Sequence, residues 1–295
     1  MTDVTDPFDY DYQRIIHKWA RSGRRQAPLA TPITVTDCPD GLSVTQRIRH
    51  VIQPDKGLLP LSLFQADPLY DDRRINGDWS IPAAQVGLAI DHLGRVMAGS
   101  DPQVAFYTSM QGAIRSGAGD QAERLLRLVE ENGKQTITAA CRLVFFDDAF
   151  RGGEPVDPAA ALGATVSWHT LQDLAAMLMR LDTFLASFGP VTWDGFTFEG
   201  GYTNRISFGD GDLLTHDTLW DLKVSAWPPT PSHTLQLAVY YLMGLHSTHQ
   251  DYRAISKLGI YNPRLNTAWT IATSRIDPHL ALGIERDIIG YQDAM

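Results

Sequence analysis

The residues of this chain best suited to chemistry lie in one run: Gly209-Asp210-Gly211-Asp212-Leu213-Leu214-Thr215-His216-Asp217-Thr218-Leu219-Trp220-Asp221-Leu222-Lys223-Val224-Ser225. Asp212 follows a glycine turn and opens an apolar pair. Asp221 and Lys223 stand two apart in a second extended segment, so their side chains leave the same face. A hairpin turning at Thr215–Asp217 sets Asp212 across from Asp221 and gathers two carboxylates and one ammonium. Two carboxylates can hold Mg²⁺, which takes oxygen ligands and retains several waters. Such a metal lowers the pKa of a bound water and stabilises charge growing on a phosphate. The lysine can orient that water or offset the developing charge. An exposed hairpin would leave these charges merely solvated. Leu219, Trp220, Leu222 and Val224 instead surround them with apolar side chains, which marks a central strand, where unpaired charge is costly.

Further along, Gln236 and Tyr240 stand four apart, on one face of a helix otherwise built from Leu235, Leu237, Val239 and Leu242. His216 and His233 flank the motif and read as solvated histidines rather than ligands. Gly209-Asp210-Gly211-Asp212 resembles the opening of a calcium loop, but no glutamate closes it at the required spacing. The chain has no Gly-Lys-Ser/Thr phosphate loop and no Gly-x-Ser-x-Gly elbow. Trp220, Trp227, Tyr240 and Tyr241 have faces on which bases can stack. Trp220 and Tyr241 read as core.

The elements that must position these residues follow from periodicity. Ser167–Phe188 is one long helix ended by Gly189-Pro190. Val191–Phe198, Tyr202–Leu214 and Thr218–Ser225 read as strands, Ser232–Leu245 as a helix, Lys257–Tyr261 and Ala268–Ala272 as a strand pair, and Asp277–Ile289 as a last helix. Helix, three strands, helix, two strands is an α/β core with a mixed sheet. Upstream, Ser80 reads as the N-cap of a helix carrying Ile81, Val86, Ile90, Leu93 and Met97. Asp101–Arg115 and Asp120–Glu131 are helical, and Gln135–Phe146 fits helix or strand equally. Thr31–Gly77 reads as short strands and loops, with apolar alternation at Val44–Val51. Three regions result: 1–77 with a basic helix and short strands, 78–153 helical, and 154–295 as the core, with the break at Arg151-Gly152-Gly153-Glu154-Pro155.

Asp212 followed by Asp221-Leu222-Lys223 resembles the bipartite motif of the PD-(D/E)XK nuclease superfamily. The Gly209-x-x-Asp212 lead and Gln236-x-x-x-Tyr240 resemble its RecB-type branch, which includes CRISPR-associated and recombination exonucleases. The resemblance spans residues 167–272, under half the chain. It implies a restriction-endonuclease-like mixed sheet flanked by helices, Asp212 and Asp221 as ligands of Mg²⁺ or Mn²⁺, Lys223 assisting the attacking water, and Gln236 and Tyr240 contacting the site or the DNA. Members of the family often complete the metal site with an upstream acid or histidine from a helix. Asp147 is the first candidate here and Glu199 the second, and each reads equally well as an ordinary surface or turn carboxylate. The family's proline before the first aspartate is replaced by Gly211. Members with an iron–sulfur cluster carry four cysteines. This chain has two, Cys38 and Cys141, so no cluster is expected.

The expected function is hydrolysis of phosphodiester bonds, in DNA first, in repair, mobile-element or phage-defence settings. The alternative is a nucleic-acid-binding module of the same fold that has lost activity. A glycosidase with a carboxylate pair is a third reading, which Lys223 disfavours. A hydrophobic fraction of 44% over 295 residues suffices for a sizeable core, and no apolar run is long enough to cross a bilayer. Met1–Asp11 holds four aspartates and no base, unlike a secretory signal. Two distant cysteines imply no disulfide framework, and a cytoplasmic home is expected. The net charge of −9 disfavours a protein that coats nucleic acid, but a local patch can still steer it. Arg14, His17, Lys18, Arg21, Arg24 and Arg25 form such a patch.

Overall fold

The computed structural model of the protein describes residues 31–291, so the acidic lead-in and the basic segment Arg14–Arg25 lie outside the described residues. In chain order the strands are β1 (Leu42–Ser43), β2 (Gln65–Pro68), β3 (Val191–Asp194), β4 (Ile206–Phe208), β5 (Leu213–Thr215), β6 (Thr218–Leu222), β7 (Lys257–Asn262) and β8 (Thr267–Ala272). The helices that matter to the site are α1 (Val44–Ile48), α2 (Ala83–Met97), α3 (Tyr107–Arg115), α4 (Gly119–Glu130), α5 (Thr136–Leu143), α6 (Asp147–Phe150), α7 (Trp168–Phe188) and α8 (Pro231–Leu245). Six strands form one mixed sheet in the order β2-β8-β7-β6-β5-β3, in which β6 and β7 run parallel and every other pair is antiparallel. A small parallel pair, β1 with β4, stands apart. The protein is thus α/β, with helices on both faces of a mixed sheet.

Parallel neighbours need a crossover, and α8 supplies it between β6 and β7. It is buried from Thr234 to Gly244, which a helix lying on a sheet under a second covering layer requires. Period-two alternation sorts the strands between two cores. Leu214, Leu219, Leu258, Ile260 and Ile271 join α8 and the segments from Ile33 to Phe64 on one face. Leu213, Trp220, Tyr261 and Ala268 join α2, α4, α5 and α7 on the other. There Phe184 of α7 stacks on Tyr261 with centroids 4.1 Å apart and meets the Trp220 ring edge-on at 4.8 Å. The sequence boundaries near Gly77 and Gly153 fall in loops, yet the α2–α5 segment and the long helix α7 share one apolar core on the sheet.

Several local expectations change. Val44–Val51 does not pair as a strand. Ser43 Oγ accepts from Gln46 N at 3.2 Å while Gln46 Oε1 accepts from Ser43 N at 2.9 Å, and this reciprocal cap nucleates α1. Gln135–Phe146 is helical despite its β-branched residues, because its Ala139, Ala140 and Cys141 face is buried between α2 and α4. Ser80 does not cap α2; Pro82 holds that position, and Ser80 Oγ accepts from Ser167 N at 2.8 Å, tying it to the start of α7. The expected strand Tyr202–Leu214 breaks into β4 and β5, which belong to different sheets. The last expected helix is a short α-helix, Pro278–Gly283, continued as a π-helix, Ile284–Ile289. No helix among the described residues is long and apolar enough to cross a membrane.

Candidate active site

The β5–β6 hairpin pairs Leu213 with Trp220 and Leu214 with Leu219, and one further step of this register sets Asp212 opposite Asp221. The backbone closes the pair, since Leu222 N donates to Asp212 Oδ2 at 2.5 Å. Lys223 N donates to Tyr261 O at 2.9 Å, so sheet pairing carries on through the lysine. Asp221 is 1% exposed and Lys223 24%, and the lysine Nζ lies 2.6 Å from Asp221 Oδ2. That ammonium is a charge contact for Oδ2, which accepts no aligned hydrogen bond. Asp221 Oδ1 accepts from Gln236 Nε2 at 3.2 Å, and the same amide donates to Tyr240 OH at 2.8 Å. Asp212, Asp221 and Lys223 therefore gather across the hairpin, and Gln236, bonded to Tyr240, reaches Asp221 from α8.

A further carboxylate comes from α2. The charge of Asp91 acts on Asp212, Asp221 and Lys223 alike. Arg95, one turn on, holds it: Nε lies 3.4 Å from Asp91 Oδ1, and Nη2 lies 3.4 Å from Asp91 Oδ2 and 3.6 Å from Asp210 Oδ2. Sequence reasoning missed Asp91, although the signal that flagged Gln236 was present. Asp91, His92 and Arg95 interrupt a helix whose Ala89, Ile90 and Leu93 are buried.

The two candidates for the upstream ligand lie elsewhere. Both oxygens of Asp147 are taken within the helical layer, Oδ1 by Ser109 Oγ at 2.5 Å and Oδ2 by Thr108 Oγ1 at 3.1 Å and His92 Nε2 at 3.0 Å. The carboxylate of Glu199 accepts from Thr197 Oγ1 and contacts His249 Nε2, each at 2.7 Å, on an exposed turn. His216 is exposed. His233 Nδ1 accepts from Thr230 N at 3.2 Å and caps α8, and burial with the charge of Lys223 lowers its pKa to about 4. Trp220 and Tyr241 are core, whereas Trp227 is 75% exposed on the loop after Lys223.

The electrostatics follow from three carboxylates sharing a poorly solvated space. Burial, then the charges of Asp91 and Asp221, push Asp212 up to about 8, against Lys223 and Arg95. Burial also raises Asp221, against the pull of Lys223. At Lys223 burial disfavours the ammonium, but Asp221 and Asp212 outweigh it and hold its pKa above the ordinary lysine value. Burial likewise opposes the charge of Asp91, and Arg95 and His92 overcome it, keeping that carboxyl below the usual range. His92 rises to about 9 because Asp147 and Asp91 outweigh its burial. Lys223 and Arg95 leave the three carboxylates with surplus negative charge, and Asp221 Oδ2 without an aligned donor. An oxygen set of this kind fits a hard divalent cation. Among the described residues no three His, Cys, Asp or Glu side chains already converge as a metal cage.

Gly211 fixes where Asp212 sits. Its N–H donates to Phe196 O at 2.8 Å, and a Cβ there would lie 2.0 Å from the Phe196 ring. A glycine at this position is thus a packing requirement. Comparisons with protein-family models, with curated proteins and with solved structures found no match.

Proposed function

We propose that the protein is a divalent-metal-dependent nuclease of the PD-(D/E)XK type, with DNA as the first substrate to test. One observation carries the reading: Asp212 and Asp221 oppose each other across a hairpin, with Lys223 on the same face and Asp91 added from α2. The order α7-β3-β5-β6-α8-β7, with β7 parallel to β6, supports a restriction-endonuclease-like core. Asp212, Asp221 and Asp91 would hold Mg²⁺ or Mn²⁺, and the bound metal would supply an activated water and stabilise charge on the phosphate.

The chain's own groups do the rest. Lys223 faces the site and is held charged, so it can hydrogen-bond the attacking water or an oxygen of the phosphate as negative charge builds. Gln236, anchored on Tyr240, fixes the orientation of Asp221. Arg95 holds Asp91 in place at the margin of the site.

The test is incubation of single- and double-stranded DNA and RNA with the purified protein in Mg²⁺, Mn²⁺ or EDTA. Cleavage in metal, none in EDTA, none by Asp221→Asn and a rate lowered by about 10²–10³-fold in Lys223→Ala are expected. Cleavage that survives EDTA, or a Lys223→Ala protein as fast as the parent, defeats the reading.

A further inference from the structure

Asp147, His92 and Asp91 form a buried chain of charge that links the helical layer to the site. His92 is 2% exposed and Asp147 fully enclosed. The ring presents Nε2 to Asp147 Oδ2 at 3.0 Å and Nδ1 to Asp91 Oδ2 at 3.3 Å. Adjacent residues on a helix do not normally face each other, so this Nδ1 contact depends on how the ring is held. Three groups hold it. Phe106 meets the ring edge-on at 5.1 Å, Asp147 fixes the far nitrogen, and Ser109 and Thr108 fix Asp147. Behind them α3 lies so close to the start of α6 that a Cβ on Gly112 would lie 1.8 Å from Phe146 O. The anchor is therefore rigid. Nε2 makes an aligned hydrogen bond to Asp147, whereas Nδ1 faces Asp91 as a charge contact without an aligned hydrogen bond, so a carboxylate stands at each ring nitrogen.

We propose that His92, held by Asp147, is a positioning residue for metal binding: it orients the Asp91 carboxylate toward Asp212 and Asp221. The inference rests on the nuclease reading above, in which Asp91 is a ligand. Hydrogen-bonded supports behind metal ligands are expected to matter by about 10- to 100-fold in affinity or activity. The arrangement also gives Asp147 a task at one remove from the metal.

The experiment compares His92→Asn with His92→Gln, alongside Asp147→Asn, Ser109→Ala and Asp221→Asn. Mn²⁺ affinity is measured by calorimetry, together with kcat, KM and melting temperature. Asparagine keeps an amide donor where Nδ1 faces Asp91 and abandons Asp147. Glutamine keeps one where Nε2 faces Asp147 and abandons Asp91. The positioning role predicts that His92→Asn binds Mn²⁺ more tightly than His92→Gln, and that His92→Gln and Asp147→Asn lose about 10- to 100-fold in Mn²⁺ affinity and kcat with KM for nucleic acid unmoved. A purely structural role predicts the reverse ranking, because glutamine leaves no buried carboxylate unpaired, and that result overturns the proposal. Should Asp147→Asn fail to fold, Ser109→Ala removes one bond to the same carboxylate and is expected to weaken Mn²⁺ binding in the same direction. Parent protein that binds Mn²⁺, loses it in Asp221→Asn and keeps it undiminished in both His92 variants refutes this inference alone. Parent protein that binds no Mn²⁺ refutes the nuclease reading with it.

Discussion

Two charge clusters, one around Arg180 and one around Asp212, are finished to different degrees. At one, Arg180 of α7 spends all five of its N–H donors: Nε and Nη2 on Asp71 at 2.9 and 2.8 Å, Nη1 on Pro263 O and Arg264 O at 3.0 Å each, and Nη2 on Arg73 O at 2.6 Å. Asp71 answers with a lowered pKa, first through its hydrogen bond from Arg180. At the other, Asp91, Asp212 and Asp221 outnumber Lys223 and Arg95, and Asp212 is driven toward its neutral form. A cluster that exists to hold loops together satisfies every group. One left with a surplus of like charge has room, in the function proposed above, for a cation that arrives from outside.

The largest effect should come from unbalancing the finished cluster. Arg180→Met leaves Asp71 with Arg73 alone and strands three backbone carbonyls, and breaking a buried pair of this sort costs about 3–5 kcal/mol. Urea unfolding should show that loss while turnover per folded molecule stays at the parent level; a loss of turnover with normal stability would erase the distinction between the clusters. Next comes Lys223→Ala, expected to lower kcat by about 10²–10³-fold, as when one group aimed at transition-state charge is removed, with Mn²⁺ still bound. Steady-state cleavage and calorimetry on the same preparation decide it.

The unfinished cluster should also reveal itself in metal-free protein. The folded pKa of Asp212 is about 8 against an ordinary 3.8, so its contribution to stability is complete below pH 3.8 and is lost as pH rises through 8. Stability should therefore fall across that window by at most about 1.4 kcal/mol per pH unit. Asp212→Asn should flatten the fall, and saturating Mg²⁺ should reverse it. A parent curve as flat as that of Asp212→Asn sinks the electrostatic argument. The smallest effects belong to α8. Gln236→Ala removes a hydrogen bond to a charged group, about 1.5–3 kcal/mol, and Tyr240→Phe removes a neutral one, about 0.5–1.5 kcal/mol. Both should weaken Mn²⁺ binding in that order, and the opposite order would place Tyr240, not Gln236, as the support of Asp221.

What the sequence made legible was whatever local rules govern. Period-two alternation through Leu213, Leu219 and Trp220 announced a central hairpin, and the hairpin put Asp212 opposite Asp221. Polar residues four apart in an apolar helix announced Gln236 and Tyr240. Asp91 escaped because the contact that gives it meaning is long-range: α2 reaches Asp212 only once the helical layer has folded onto the sheet. Asp147 drew attention as an upstream acid just after the Gln135–Phe146 segment, and pattern alone does not tell an acid satisfied by Ser109 from one facing a cavity. The strand expected at Val44–Val51 failed for a more local reason, the reciprocal Ser43–Gln46 cap.

Gly211 has a consequence for how this site can change over generations. Proline at that position would meet the Phe196 ring and would also lack the N–H that Phe196 O accepts. An exchange of Gly211 for proline is therefore closed as a single step. It opens only if Phe196 shrinks, and Phe196 itself packs against Tyr240, Phe198 and Tyr252. Positions 196 and 211 are bound epistatically, so the effect of either substitution depends on the other. A lineage that settled on this glycine and this phenylalanine is held to them by packing, whatever selection asks of the aspartate next door.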